Sequence, residues 1–521
     1  MNRWTVLAAG ATLLFAAPAV HLLSALWAPA GEHWPFIQTH WLPQYAFNSL
    51  WLSATSALAA AALGTVLAWL ETAYDVPLRR LWHGALVLPL AVPPYIAAFV
   101  YNHFLGYTGW VQSFLREIIG LPPEAAYLHI PPPALAVFIY VLFLYPYVYL
   151  IVLGDLARQD AAVIESARLL GAGPVRTFFR VVVPMSRRSI VAGGLFVAFE
   201  VLGDYGLAAY FGIPTLSTGI VQAWFGLYDL PAAERLAACF LIGLIGLIML
   251  ERLITRRKLP YTPRPRPLSR QALRGGRAAL ALLVHVIPLV FGVFIPLAQL
   301  VAFFRAALAA GTVHALWTPL GNTVALSVLG AAGITAVATL VTAVARHFPT
   351  RVTSAFPEVM LAAYAVPGAV VAVGVLGLLL PLKTLFSFGW MVTDTPLMLL
   401  YAYLARYLAV GVETMRAAGE RLGRRYFDAA RLAGAPPWRA FWRGEAPLLL
   451  PAFISSMLLA WIELAKELPL ALLLRPFDFE TLATTAFLYA GDERLIQAAA
   501  PSLIIIGVGA LSVIWMMRGK R

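Results

Sequence analysis

Cysteine is nearly absent: Cys239 is the single one in 521 residues and lies in an apolar stretch, so neither a disulfide framework nor a thiolate metal cluster can be built from this chain. It reads as a small core residue. Charge is scarce as well, at 12% of residues against 61% apolar ones with a mean hydropathy of +0.79, which excludes a wholly water-facing surface. The phosphate-cradling pattern G-x-x-x-x-G-K-[ST] is missing, because the only Gly-Lys pair, Gly519-Lys520, is followed by Arg521. Any ATP used must therefore be bound by another polypeptide. The nine histidines show no ligand spacing, which leaves no firm metal site, and no nucleophile, base and orienting group cluster beside a glycine motif, which argues against a membrane enzyme.

Long apolar runs are what the chain does have. A hydrocarbon core about 30 Å thick takes roughly 20 apolar residues as a helix, since unpaired peptide groups in lipid are costly. Twelve stretches qualify, at about 5–27, 46–70, 81–106, 133–153, 189–211, 236–254, 278–303, 320–345, 356–381, 395–415, 448–474 and 498–517. The expected fold is an all-α integral membrane protein. The first stretch could be a cleaved signal with Ala28-Pro29-Ala30 as its site, but its length favours a retained helix.

The net charge of +13 reports topology. With the N-terminus inside, 30 of the 38 Lys and Arg fall on one side, six on the other (Arg116, Arg235, Arg305, Lys383, Arg475 and Arg494) and two, Arg406 and Lys466, within spans. This asymmetry predicts both termini in the cytoplasm of a bacterial inner membrane, with lipid and not nucleic acid as the surrounding partner.

Residues 255–277, rich in proline and arginine, break the hydropathy and read as a cytoplasmic basic linker between two six-span halves, 1–254 and 278–521. Six spans in each half give parallel repeats. Residues 165–184 (ESARLLGAGPVRTFFRVVVP) align without a gap on 428–447 (DAARLAGAPPWRAFWRGEAP), with ten of twenty positions identical. Upstream, Asn48-Ser49 and Val92-Pro93 answer to Asn322-Thr323 and Val366-Pro367. The duplication thus covers whole halves. Within each aligned segment, Gly171 or Gly434 and then Pro174 or Pro437 describe a short helix, a tight turn and a second helix, a compact knob that another protein's groove could grip.

These segments resemble the E-A-A loop of ATP-binding-cassette importer permeases: an acidic residue, small residues, a glycine six positions after the acid and a proline thirteen after that. Glu165, Ala167, Gly171, Pro174 and Pro184 fit it, as do Asp428, Ala430, Gly434, Pro437 and Pro447. The resemblance implies that both loops dock into a cytosolic ATPase dimer, which binds the ATP and magnesium, while a periplasmic substrate-binding protein delivers cargo; this chain would carry no cofactor and perform no hydrolysis itself. Two departures, Asp428 in place of Glu and Gly444 where the family usually has an aliphatic residue, imply less symmetric docking by the second loop.

Glu200 and Asp204 stand four apart after the first loop, with Glu463 and Glu467 at the same offset after the second and Lys466 between them. On continuous helices each pair shares one face. Ionised groups in spans should face the bundle interior or a water-filled path, so these five are candidates for a cation path. The alternative is a structural network neutralised by Lys466 and Arg406. Tyr95, Tyr140, Tyr145, Tyr147 and Tyr149 offer phenolic oxygens that suit ferric iron, although interfacial aromatic belts account for most of them.

The run Leu88–Tyr101 and the segment Glu200 to Gly206, together with Glu463-Leu464-Ala465-Lys466-Glu467-Leu468-Pro469, resemble the ferric iron permeases of bacteria over nearly the full chain. A thiamine or other small-solute importer permease is the nearest alternative. A secondary transporter of duplicated halves fits the hydropathy but leaves the paired loops unexplained.

Overall fold

The computed structural model describes residues 3–122, 130–255, 266, 268–312, 316–363, 365–386 and 392–518. Of the linker at 255–277, residues 256–265 and 267 lie outside the described residues. Among the described residues nine helices are long and apolar enough to cross a bilayer, and three further pairs, each bent at a short break, bring the number to twelve. Among the described residues extended structure amounts to one two-residue parallel pairing, Tyr74 with Gln271 and Asp75 with Ala272.

The breaks fall where the backbone is obliged to leave the helix. Val92-Pro93 separates Leu81–Ala91 from Pro94–Glu117 at an angle of 90°, with Pro93 extended at φ −60° and ψ 140°. Proline lacks the N–H that would continue the ladder and pushes its predecessor out of helical space. Pro367 is extended in the same way, at φ −56° and ψ 145°, ahead of Gly368–Leu379. The spans expected at 81–106 and 356–381 are therefore each bent pairs of helices. Leu450–Ala465 likewise follows Pro437–Glu445 across an 86° bend.

The chain packs as two compact units that each draw on both sequence halves. One comprises Met1–Leu42, Gly219–Ile242 and His314–Thr485. In it the first helix, Arg3–Ser24, packs on Trp317–His347, Arg351–Ala363 and Gly368–Leu379. Small residues permit close packing in this unit: a Cβ on Gly374 would lie 2.9 Å from the Pro18 carbonyl oxygen of the first helix, and one on Gly411, in Pro396–Leu422, would lie 2.9 Å from the Ala338 Cβ of Trp317–His347. The core here includes Ala8, Val341, Phe356, Met360, Leu408 and Val412.

The other unit comprises Pro43–Thr218, Gly243–Val313 and Ala486–Arg521. Its centre is Pro132–Leu156 against Val183–Gly203, and Ile295–Ala309 packs on the last helix, Leu495–Arg518. Gly64 makes room at the centre, since a Cβ there would lie 2.8 Å from the Val148 Cβ.

Candidate functional site: two duplicated hairpins and the breaks behind them

Each hairpin is a short helix, a left-handed glycine and a proline-led second helix. In the first copy Ala161–Leu169 is N-capped by Asp160, whose carboxylate accepts from the Ala162 N–H at 3.1 Å. Gly171 follows at φ +83°, and Pro174 opens the next helix. In the second copy Arg425–Leu432 is followed by Gly434 at φ +85°, and Pro437 opens the next helix. Open space surrounds both glycines, so backbone conformation alone demands them.

The tips carry a feature that the sequence reading missed. Leu169 and Leu170 are each 89% exposed and Leu432 is 90% exposed, beside the turn glycines. Leu169 and Leu432 stand at matching repeat positions, so both hairpins expose a leucine beside the turn.

The supports beneath the two hairpins differ. Glu165 accepts a hydrogen bond from Ser269 Oγ at 3.1 Å and lies 3.7 Å from the Arg266 guanidinium, whereas Asp428 is half exposed and pairs at 3.7 Å with Arg424 of its own helix turn. Val182 and Glu445 occupy the same repeat position and are both fully buried. Glu445 holds Arg346 at 2.6 Å and His347 at 2.8 Å, and the His347 ring stacks on Phe427 of the second hairpin at 3.7 Å. Gly444 lies where the two hairpin helices meet, and a Cβ there would stand in ordinary van der Waals contact with the Ala430 Cβ at 3.6 Å and the Tyr426 carbonyl oxygen at 3.5 Å.

The acidic residues behind the hairpins do not share helix faces as expected. Val183–Gly203 ends before Asp204, which is extended at φ −74° and ψ 130°, and Leu450–Ala465 ends at Lys466, one residue before Glu467. The expected helical register is lost at these ends. Asp204 and Glu467 instead cap the short helices that follow. Asp204 accepts from the Leu207 N–H at 2.9 Å and from Tyr140 OH at 2.8 Å. Glu467 accepts from the Leu470 and Ala471 N–H groups at 2.9 and 3.3 Å and from Arg406 at 2.7 Å. Gly368 makes room for that pair, because a Cβ there would lie 2.4 Å from an Arg406 nitrogen. Lys466 pairs with Glu463 at 3.0 Å, and Glu200 is part-buried near the end of its helix.

A second repeated device lies beyond the breaks. Asn48 donates to the Pro214 carbonyl and Asn322 to the Glu480 carbonyl, both at 2.9 Å. Ser49 Oγ accepts from the Leu216 N–H at 2.9 Å and Thr323 Oγ1 from the Leu482 N–H at 2.8 Å. The backbone N–H groups of Thr215 and Thr481 donate to Thr218 and Thr484 at 2.8 and 2.9 Å. The Asn-Ser and Asn-Thr pairs thus anchor the helices Leu216–Val221 and Leu482–Gly491 at their starts.

Comparison with known proteins agrees with this duplicated layout. The family described as "Binding-protein-dependent transport system inner membrane component" matches twice, at residues 60–258 and 337–518. The chain belongs to this family. It is 22% identical over 467 residues to the "Fe(3+)-transport system permease protein FbpB 2" of Haemophilus influenzae, covering 88% of this chain and 86% of that protein. It is 27% identical over 214 residues to the "Molybdenum transport system permease protein ModB" of Escherichia coli strain K12, covering 41% of this chain and 91% of the relative. The "Spermidine/putrescine transport system permease protein PotB" of Salmonella typhimurium strain LT2 matches at 25% over 206 residues, 39% of this chain and 71% of the relative.

As a binding-protein-dependent inner membrane component, the chain is a multi-pass membrane subunit of an importer of the ATP-binding-cassette type. Its tyrosines depart from the aromatic-belt expectation. Tyr140, Tyr145 and Tyr149 are fully buried in Pro132–Leu156, and Tyr145 OH donates to the Leu86 carbonyl at 2.9 Å. Tyr95 is also buried, its ring edge-on to Phe487 with 6.4 Å between centroids.

Proposed function

We propose that this chain is the permease of an importer for ferric iron, with the two hairpins as the docking elements for a cytosolic ATPase dimer and a periplasmic binding protein as the source of cargo. The observation that carries the docking role is the pair of equivalent hairpins, each with a positive-φ glycine and an almost fully exposed leucine at its tip. Two such knobs suit two ATPase subunits, one each. ATP and magnesium belong to those subunits, and their closure would switch this chain between outward- and inward-facing states. The excess of Lys and Arg on one side supports a cytoplasmic location for the hairpins, the linker and both termini.

Iron as cargo is supported by the likeness over 88% of the chain to a permease named for Fe(3+) transport, whereas the molybdenum and polyamine relatives match about two fifths of it. Asp204 and Glu467 act as caps at helix breaks, which leaves Glu200, Glu463 and Lys466 as the stronger candidates for lining the path. The test is uptake into vesicles holding this chain with its ATPase, supplied with its binding protein. ATP-dependent accumulation of labelled ferric iron is expected; accumulation of thiamine or molybdate without iron would overturn the cargo.

A further inference from the structure

We propose that the described residues 266 and 268–272 of the segment between the two halves form a strap that positions the first hairpin, with Ser269 and Arg266 as positioning residues that act through Glu165. This rests on the reading of the hairpin as a docking element. Helix Ala161–Leu169 begins with N–H groups that have no partner within the helix. Asp160 takes the one on Ala162, and the Arg266 carbonyl takes the one on Ala161 at 3.1 Å. The joining segment therefore adds a backbone acceptor to the start of this helix.

Two side chains extend the attachment along the helix. Ser269 Oγ donates to one Glu165 oxygen at 3.1 Å, and the Arg266 guanidinium stands 3.7 Å from the other. The segment is also held from behind, where Gln271 and Ala272 pair in parallel with Tyr74 and Asp75. It thus bridges the base of the hairpin and the end of the long helix that closes at Ala73, while Leu169 and Leu170 remain free at the tip. The strap orients the knob without covering it.

The second hairpin is held differently. Arg425–Leu432 starts without a side-chain cap bond, and Asp428 pairs with Arg424 four residues earlier. An acid at the same repeat position is therefore tied to another part of the chain in one copy and to its own helix in the other. Joining the halves in one polypeptide gives the first hairpin a constraint that the repeat itself does not supply.

Hydrogen exchange by mass spectrometry on the full chain in detergent tests this, with ATPase-subunit binding measured alongside. In Ser269→Ala combined with Arg266→Ala, amides of 161–169 should exchange about three- to tenfold faster, the range for losing one or two part-exposed polar contacts. Amides of 425–432 and the melting temperature should stay unchanged, Ser269→Thr alone should exchange as wild type, and ATPase affinity should fall several-fold. Wild-type exchange at 161–169 in the double variant would overturn the strap. A general rise at both hairpins would overturn it as well, since that is loss of fold. The docking reading fails separately, if Leu169→Asp leaves ATPase affinity intact while the strap variants still speed exchange.

Discussion

In the first copy of the repeat the hairpin rests on exposed contacts, whereas in the second it rests on buried ions. The first is capped by Asp160 and crossed by the interhalf segment at Glu165, with Val182 filling the buried position beneath it. The second has Glu445 at that buried position, holding Arg346 and His347. The same contrast recurs at the helix breaks, where the phenol of Tyr140 serves Asp204 and the guanidinium of Arg406 serves Glu467. What the copies share is backbone geometry: a left-handed glycine, a proline at the start of a helix, an acid capping the next short helix, and an Asn-Ser or Asn-Thr pair holding the one after. Main-chain needs recur in both copies, and the partners that satisfy the side chains have diverged.

The break partners give the largest expected difference. Arg406→Met leaves the Glu467 carboxylate buried without its cation, which should cost about 3–5 kcal/mol. Tyr140→Phe removes one hydrogen bond to Asp204 and should cost about 1.5–3 kcal/mol. Thermal unfolding in detergent should show the second copy hurt more, and adding Glu467→Gln to Arg406→Met should recover part of the loss. Equal losses would erase the contrast between a neutral and an ionic support.

The turn glycines should show the opposite pattern, because both have positive φ and open space around them. Gly171→Ala and Gly434→Ala should each cost about 1–2 kcal/mol, the penalty for an L-residue in the left-handed region. Local hydrogen exchange at each turn is the measurement. A clear difference between the two would mean that the turns are not equivalent.

Much of this was legible in the residues themselves. Gly171, Gly434, Pro174 and Pro437 marked both hairpins, because the turn needs φ that only glycine adopts freely and proline suits a helix start. Hydropathy located the spans but could not see their bends, since an apolar run reads alike whether straight or broken at Pro93 and Pro367. The spacing of Glu200 with Asp204 implied a shared face only while the helix continued, and Gly203 ends it. Asn48-Ser49 and Asn322-Thr323 were visible as repeat markers, yet their partners lie more than 150 residues away in sequence. The tip leucines passed as ordinary helix residues, because exposure at a loop apex depends on what surrounds it. Tyr140, Tyr145 and Tyr149 resembled an interfacial belt until packing placed them inside.

The docking role of the hairpins is tested most directly by recovery of the ATPase subunit with purified full-length chain carrying Leu169→Asp, Leu432→Asp or both. These side chains are 89% and 90% exposed, so the melting temperature should move little, within about 0.5 kcal/mol of stability. Each single change should lower ATPase recovery and the double change should abolish it. Undiminished recovery with the double variant would contradict the account.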